Sequence, residues 1–104
     1  MSKYVLAYHG GSMPESEAEQ AEIMAAWGAW FESMGAAVVD GGNPISQAKT
    51  VNSDGSVSDG GGANPLSGYS VVNAVDLDSA LGLAKGCPIL AGGGSVEVAE
   101  AIDM

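Results

Sequence analysis

Positive charge is nearly missing from this chain: 3 Lys and Arg stand against 13 Asp and Glu in 104 residues, a formal net charge of -10. Such a surface repels a phosphate backbone and an anionic membrane alike, so neither nucleic acid nor a membrane is an expected partner. The acidity does not in itself name a cationic substrate, because net charge chiefly governs solubility. Cysteine occurs once, as Cys87, which excludes an intramolecular disulfide framework and a multi-cysteine metal cage and fits a reducing cytoplasm. No apolar run approaches the ~20 residues needed to span a bilayer, and the opening MSKYVLAYHGG lacks the long apolar core of a signal peptide. An unexported, cytoplasmic protein is expected. Histidine also occurs once, as His9; with no His-x-x-x-His pair and no clustered ligands, no metal site is expected. Gly60-Gly61-Gly62 and Gly92-Gly93-Gly94 lack the strand, Gly-x-Gly-x-x-Gly and helix order of a dinucleotide site, so they are read as turns and no cofactor is expected.

What is present is globular: 46% hydrophobic residues and a length that fits a single domain spanning residues 1–104. Lys3 to His9 alternates Tyr4, Leu6 and Tyr8 with Val5, Ala7 and His9, the period-two pattern of a strand. Gly10 and Gly11 end it, and Ser12, Met13 and Pro14 introduce a helix with Glu15, Glu17 and Glu19 in its first turns and an apolar stripe of Ile23, Trp27, Trp30, Phe31 and Met34. Gly35 caps that helix, and Ala36 to Val39 reads as a second strand ending at Asp40. Ile45 to Val51 and Ser56 to Ser58 flank Asn52-Ser53-Asp54-Gly55 as a small ribbon. Gly68 to Val75 makes another strand. Asp76 then caps a helix with Leu77, Ala80, Leu81 and Ala84 inward, which Gly86 and Pro88 terminate, and Ser95 to Ala99 is the last strand. This order predicts an α+β fold: a ferredoxin-like sheet with two helices on one face and an extra β-hairpin. Its strands carry apolar residues on both faces, so a second copy of the chain is the expected cover for the other face.

The segments KYVLAYHGG, MPESEAEQAEIMAAWGAWFESMG, VVDGGNP, SDGSVSDGG, SGYSVV, AKGCPILAGG and GGGSVEV, in this order and spacing, resemble the YCII-related domains, in particular the branch named for its Asp-Gly-Pro-Phe motif. The resemblance spans nearly the whole chain and implies a ferredoxin-like subunit that pairs into a dimeric α/β barrel. Here Asp59-Gly60-Gly61 stands where that branch has Pro and Phe after Asp-Gly. Some members have a proposed Asp-His dyad, the Asp ending the first strand and the His within the first helix. In this chain His9 lies near the Asp position and Met24, which cannot transfer a proton, near the His position, so the dyad is not carried over.

Among side chains suited to chemistry, His9 is the natural general acid or base, because imidazole is the side-chain type that most readily moves a proton near neutral pH. Asp40 and Asp59, at strand ends before glycine, are its candidate carboxylate partners; the competing readings are turn-stabilising Asp residues and a His9 that faces water or the dimer partner. Tyr8 and Tyr69 are the candidate ligand-binding residues, since each sits in a strand and presents a hydroxyl either to the barrel interior or beneath the helices. Trp27 and Trp30 read first as core and only second as pocket walls, and Cys87 as a small buried apolar residue. Two functions follow. One is a small-molecule binder or cofactor-independent acid/base enzyme, with a small polar molecule at the mouth of a homodimeric barrel. The other is a non-catalytic dimeric interaction or regulatory domain.

Overall fold

The computed structural model describes residues 1–11 and 15–103. Four strands, β1 (Ser2–His9), β2 (Val38–Asp40), β5 (Leu66–Ala74) and β6 (Ser95–Ala101), form an antiparallel sheet in the order β2-β5-β1-β6. Two helices, α1 (Glu17–Met34) and α2 (Leu77–Ala84), connect them, and a separate two-stranded ribbon, β3 (Lys49–Val51) with β4 (Val57–Asp59), is inserted between β2 and β5. This is the ferredoxin-like α+β arrangement that the element order implies.

Strand alternation decides which residues form the core. Tyr4, Leu6 and Tyr8 of β1 and Ser70, Val72 and Ala74 of β5 all point under the helices and are buried, and Leu6 pairs with Ser70 on one side and Val98 on the other. Trp30 and Met34 of α1 and Ala80 and Ala84 of α2 complete the same cluster, so both helices lie on one face of the sheet. The smallest dimension of the molecule is 19 Å, the depth of one helix layer on one sheet at a spacing of ~10 Å. Val5, Ala7, Val71 and Asn73, half-buried, therefore occupy a face that no helix of the described residues covers.

The helix ends follow their local chemistry. Ser16 caps α1 by accepting the Glu19 N–H at 3.1 Å, while the Glu19 carboxylate accepts the Glu15 N–H at 2.9 Å. Glu15 thus precedes the helix instead of lying within it, and the expected helix start at Ser12, Met13 and Pro14 falls outside the described residues. Asp76 caps α2, accepting the Ser79 N–H at 2.8 Å.

Three expectations need correction. Gly35, at φ 53, ends α1 but leads into a short 3-10 turn over Gly35–Ala37, so the second strand begins only at Val38; Ala36 and Ala37 lack the branched side chains that favour extension. In α2, Leu77 and Leu81 remain partly exposed, while Leu83 packs against the core beside Ala80 and Ala84. The two alanines let the helix approach the sheet, which rotates the leucines at 77 and 81 toward its flank. The ribbon's first strand is confined to Lys49–Val51, because residues 43–45 pair instead with β5: Ile45 N–H donates to Ser67 O at 3.0 Å and Tyr69 N–H to Asn43 O at 3.3 Å.

Candidate functional site

His9 ends β1 at a point where the register with β5 shifts, pairing with Leu66 where regular alternation would place Ser67. It is buried, with Nδ1 facing the carbonyl oxygens of Asn64 at 3.0 Å and Pro65 at 3.2 Å, and Nε2 facing Glu97 Oε1 at 3.1 Å. All three neighbours are acceptors, so only the doubly protonated ring donates to every one of them. Glu97 lies opposite Ala7 on β6 and is well exposed. The pair sits at one end of the sheet with both nitrogens engaged.

Neither Asp40 nor Asp59 supplies that carboxylate. Asp40 Oδ1 accepts the Gly42 N–H at 2.8 Å and holds its own turn. Asp59 Oδ1 accepts Lys49 Nζ at 2.9 Å across the ribbon, an exposed ion pair of small energetic weight. Glu97 was not singled out in the sequence. The SVEV alternation places it on the face opposite Val96 and Val98, which was legible, but its pairing register with β1 was not.

Tyr8 and Tyr69, by contrast, border one cavity, although strand pairing sends their side chains to opposite faces of the sheet. Both line a cavity of about 390 Å³ between α1 and the edge of the sheet. Met24, Trp27 and Phe31 form the α1 side, residues 41–44 with Ser67 and Gly68 form the sheet-edge side, and Ile89 adds to the wall. Met24, the position where the resemblance would put a helical proton carrier, is in this wall, whereas His9 is not among its residues. Tyr8 and Trp27 meet edge to face with centroids 5.0 Å apart, and Trp27 lies 5.5 Å from Trp30 and 6.0 Å from Phe31. Such contacts fix the rings of the wall before any ligand arrives. Trp30, expected in the core, is there, and its Nε1–H donates to Leu83 O at 3.0 Å.

A directed hydrogen-bond chain supports the cavity. Tyr8 Oη donates to Ser70 Oγ at 2.7 Å, and Ser70 Oγ donates to the Gly41 carbonyl at 2.6 Å. Burial holds the Tyr8 phenol neutral, its pKa pushed up to about 12 in spite of the Ser70 bond, which favours the phenolate. Burial likewise pushes the Cys87 thiol up to about 11, so it behaves as the small apolar residue expected. Ser67 Oγ is sealed from solvent without a hydrogen-bond partner, alone in this respect among buried side-chain polar atoms of the described residues. No group of three or more potential metal ligands occurs among the described residues, and no helix there is long and apolar enough to cross a membrane.

The two raised pKa values have a consequence at alkaline pH. An unfolded Cys and Tyr ionise near 9.0 and 10.0, while the folded Cys87 and Tyr8 ionise near 11 and 12. Between those limits the native state binds more protons than the unfolded state, so stability is fully present below pH ~9 and falls as pH rises toward ~12. Urea midpoints at pH 8.5 and 11.5 are expected to show this fall, and Tyr8→Phe to lessen it. A Tyr8→Phe protein with the full wild-type decline would place the Tyr8 hydroxyl outside this linkage.

No protein-family model matches the sequence, and no curated protein matches it. A solved structure with a similar fold is 5-chloro-2-hydroxyhydroquinone dehydrochlorinase from Burkholderia phenoliruptrix, in complex with 2,5-dihydroxybenzoquinone, with a TM-score of 0.58 and 16% sequence identity, covering 98% of this chain and 95% of that one. The two chains share the ferredoxin-like architecture over almost their entire lengths. At that identity the likeness is one of fold.

Proposed function

We propose that this protein is a YCII-related small-molecule binding protein that works as a homodimer, with its site in the aromatic cavity between α1 and the sheet edge. The observation that carries this reading is the cavity itself: about 390 Å³, within the ~300–1,000 Å³ range of ligand sites, walled by aromatic rings and carrying a few hydroxyl and amide groups. A neighbour of the same fold whose solved complex holds a small ring compound is consistent with it. The homodimer is supported by the helix-free sheet face with Val5, Ala7 and Val71, and by Val51 and Val57, an exposed apolar pair across the ribbon.

A second reading, cofactor-independent acid/base catalysis, draws on the His9–Glu97 pair. In it His9 works with Glu97, while Asp40 and Asp59 stay with their turn and ribbon. Engagement of both ring nitrogens and the position of His9 outside the cavity wall favour the binding reading.

Native mass spectrometry of protein purified gently from its own cells tests both parts. The expected spectrum shows a particle of twice the 10.3 kDa chain mass carrying a small-molecule adduct. Trp27→Ala is expected to fold, since Trp27 is only half-buried, and to weaken adduct retention by an order of magnitude, about 1.4 kcal/mol. A dimer whose adduct is indifferent to Trp27→Ala would remove the cavity from consideration, and a monomer would remove the pairing.

A further inference from the structure

We infer that the cavity takes an uncharged planar ring bearing a hydrogen-bond donor such as a hydroxyl. This rests on the reading of the cavity as a ligand site and adds the chemistry of its occupant. The argument begins with charge. A chain with 13 acidic and 3 basic residues places none of them, nor its histidine, among the described residues of this wall. With Tyr8 neutral to about pH 12, a carboxylate or phosphate would enter without a cation to pair it, and an ammonium without a carboxylate. Burying an unpaired charge is far costlier than burying an uncharged ring.

Shape comes next. Trp27 and Phe31 stand on the helix side, while residues 41–44 and 67–69 stand on the sheet side, and flat aromatic side chains in the wall favour a planar ring that stacks on them. An apolar cavity of ~150 Å³ suffices for benzene, so about 390 Å³ leaves room for ring substituents.

Hydrogen-bond direction then selects the substituent. The Gly41 carbonyl only accepts, so Ser70 must donate to it and Tyr8 must donate to Ser70. The proton of Tyr8 is thereby committed, and its oxygen retains acceptor capacity alone. A ligand group that meets Tyr8 Oη must therefore be a donor. A hydroxyl supplies such a donor.

Four probes of one ring size separate these elements: phenol, anisole, benzoate and benzyltrimethylammonium, titrated into 15N-labelled protein. Only two indole N–H signals exist, from Trp27 in the wall and Trp30 in the core. Phenol is expected to shift the Trp27 signal and the amides of Gly42, Asn43, Gly68 and Tyr69 while the Trp30 indole signal moves little. It should bind roughly five- to tenfold tighter than anisole, the worth of one hydrogen bond, and at least about tenfold tighter than either charged probe. In Tyr8→Phe, phenol should fall to the level of anisole. Benzoate or the ammonium binding as tightly as phenol would overturn the uncharged ligand, and equal phenol and anisole affinities in the wild type would overturn the donor. Either result leaves the cavity as a binding site. If none of the four probes moves the Trp27 signal, the proposed function itself fails.

Discussion

Gly42→Ala is expected to be among the most damaging single-methyl changes possible in this protein, whereas the same change at the adjacent Gly41 is expected to be almost silent. Gly42 has φ +74, a conformation that costs a side-chain-bearing residue ~1–2 kcal/mol. A Cβ at Gly42 would also fall on the Tyr69 carbonyl oxygen, with Ser70 Cα only 3.2 Å away. Those are backbone atoms of β5, held by pairing with β1 on one side and β2 on the other. They cannot swing aside as a flexible side chain would, so residues 41–45 must lift off the strand. Lifting them breaks the Tyr69–Asn43 and Ile45–Ser67 backbone bonds and the Ser70 bond to Gly41 O. A loss of ~3 kcal/mol or more follows, which for a domain of this size lowers the melting temperature by roughly 12 °C or more.

Gly41 has no heavy atom within 4 Å of its would-be Cβ and no positive φ. Gly41→Ala should therefore melt within a few degrees of the wild type, or slightly above it through reduced unfolded-state freedom. Thermal unfolding of the two variants followed by circular dichroism is the measurement. Equal melting temperatures would mean that 41–45 is not seated on β5 as described. Because Gly42 and Tyr69 also line the cavity, Gly42→Ala should also impair the ligand binding proposed for it, even where the chain remains folded.

This contrast also shows where sequence reading reached its limit. The Asp-Gly-Gly at 40–42 was legible as a turn, since Asp before Gly offers an oxygen to a nearby amide; Asp40 does so to Gly42. That the turn lies across Tyr69 as part of a cavity wall was not legible, because it depends on pairing between residues 43–45 and 67–69 across a long insertion. Local signals carried the fold well. The alternation of Tyr4, Leu6 and Tyr8 set apart one face of the first strand, and that face is the one buried under the helices; Asp76 and Gly35 correctly bounded their helices, and Asn52 to Ser56 closed a tight ribbon turn with Ser56 N–H bonded to Asp54 Oδ1.

The candidate site fared less evenly, for the same reason. Tyr8 and Tyr69 came from strand position alone and both line the cavity. Residue-type logic favoured an Asp beside His9, yet the carboxylate there belongs to Glu97 on the last strand. Ferredoxin-like topology sets β6 beside β1, and a one-residue difference in register would turn Glu97 to the opposite face. The register was thus the missing quantity. Likewise, helical spacing put Leu77, Ala80, Leu81 and Ala84 inward in α2, and of these only Ala80 and Ala84 are buried, since their close contact with the sheet decided the helix rotation.

The second large effect is expected at Trp30, through which the two helices are joined. Its ring is 6% exposed and meets Tyr8, Trp27 and Phe31, while its Nε1–H reaches across to Leu83 O in α2. Gly86 closes over the same ring, since a Cβ there would stand only 3.1 Å from Trp30 Cδ1. Trp30→Ala empties this volume from all sides at once. Substitutions of that kind cost ~3–5 kcal/mol, against ~5–15 kcal/mol for the stability of a whole domain.

Trp30→Phe separates packing from the hydrogen bond. Phenylalanine keeps much of the apolar contact and gives up the indole N–H. Leu83 O is not orphaned by the loss, because the Gly86 N–H also donates to it at 3.3 Å. The hydrogen-bond part should therefore be near the ~1 kcal/mol of an ordinary bond, well below the penalty for an unsatisfied buried carbonyl. Urea unfolding at neutral pH, with both variants showing the wild-type slope, should place Trp30→Phe about 1–2 kcal/mol below the wild type and Trp30→Ala at least twice as far. If Trp30→Phe proved as costly as Trp30→Ala, the α1–α2 junction would be held by the indole hydrogen bond and the aromatic cluster would be secondary. If both were nearly neutral, the wall behind Trp27 would lack the rigid backing that a preformed cavity requires.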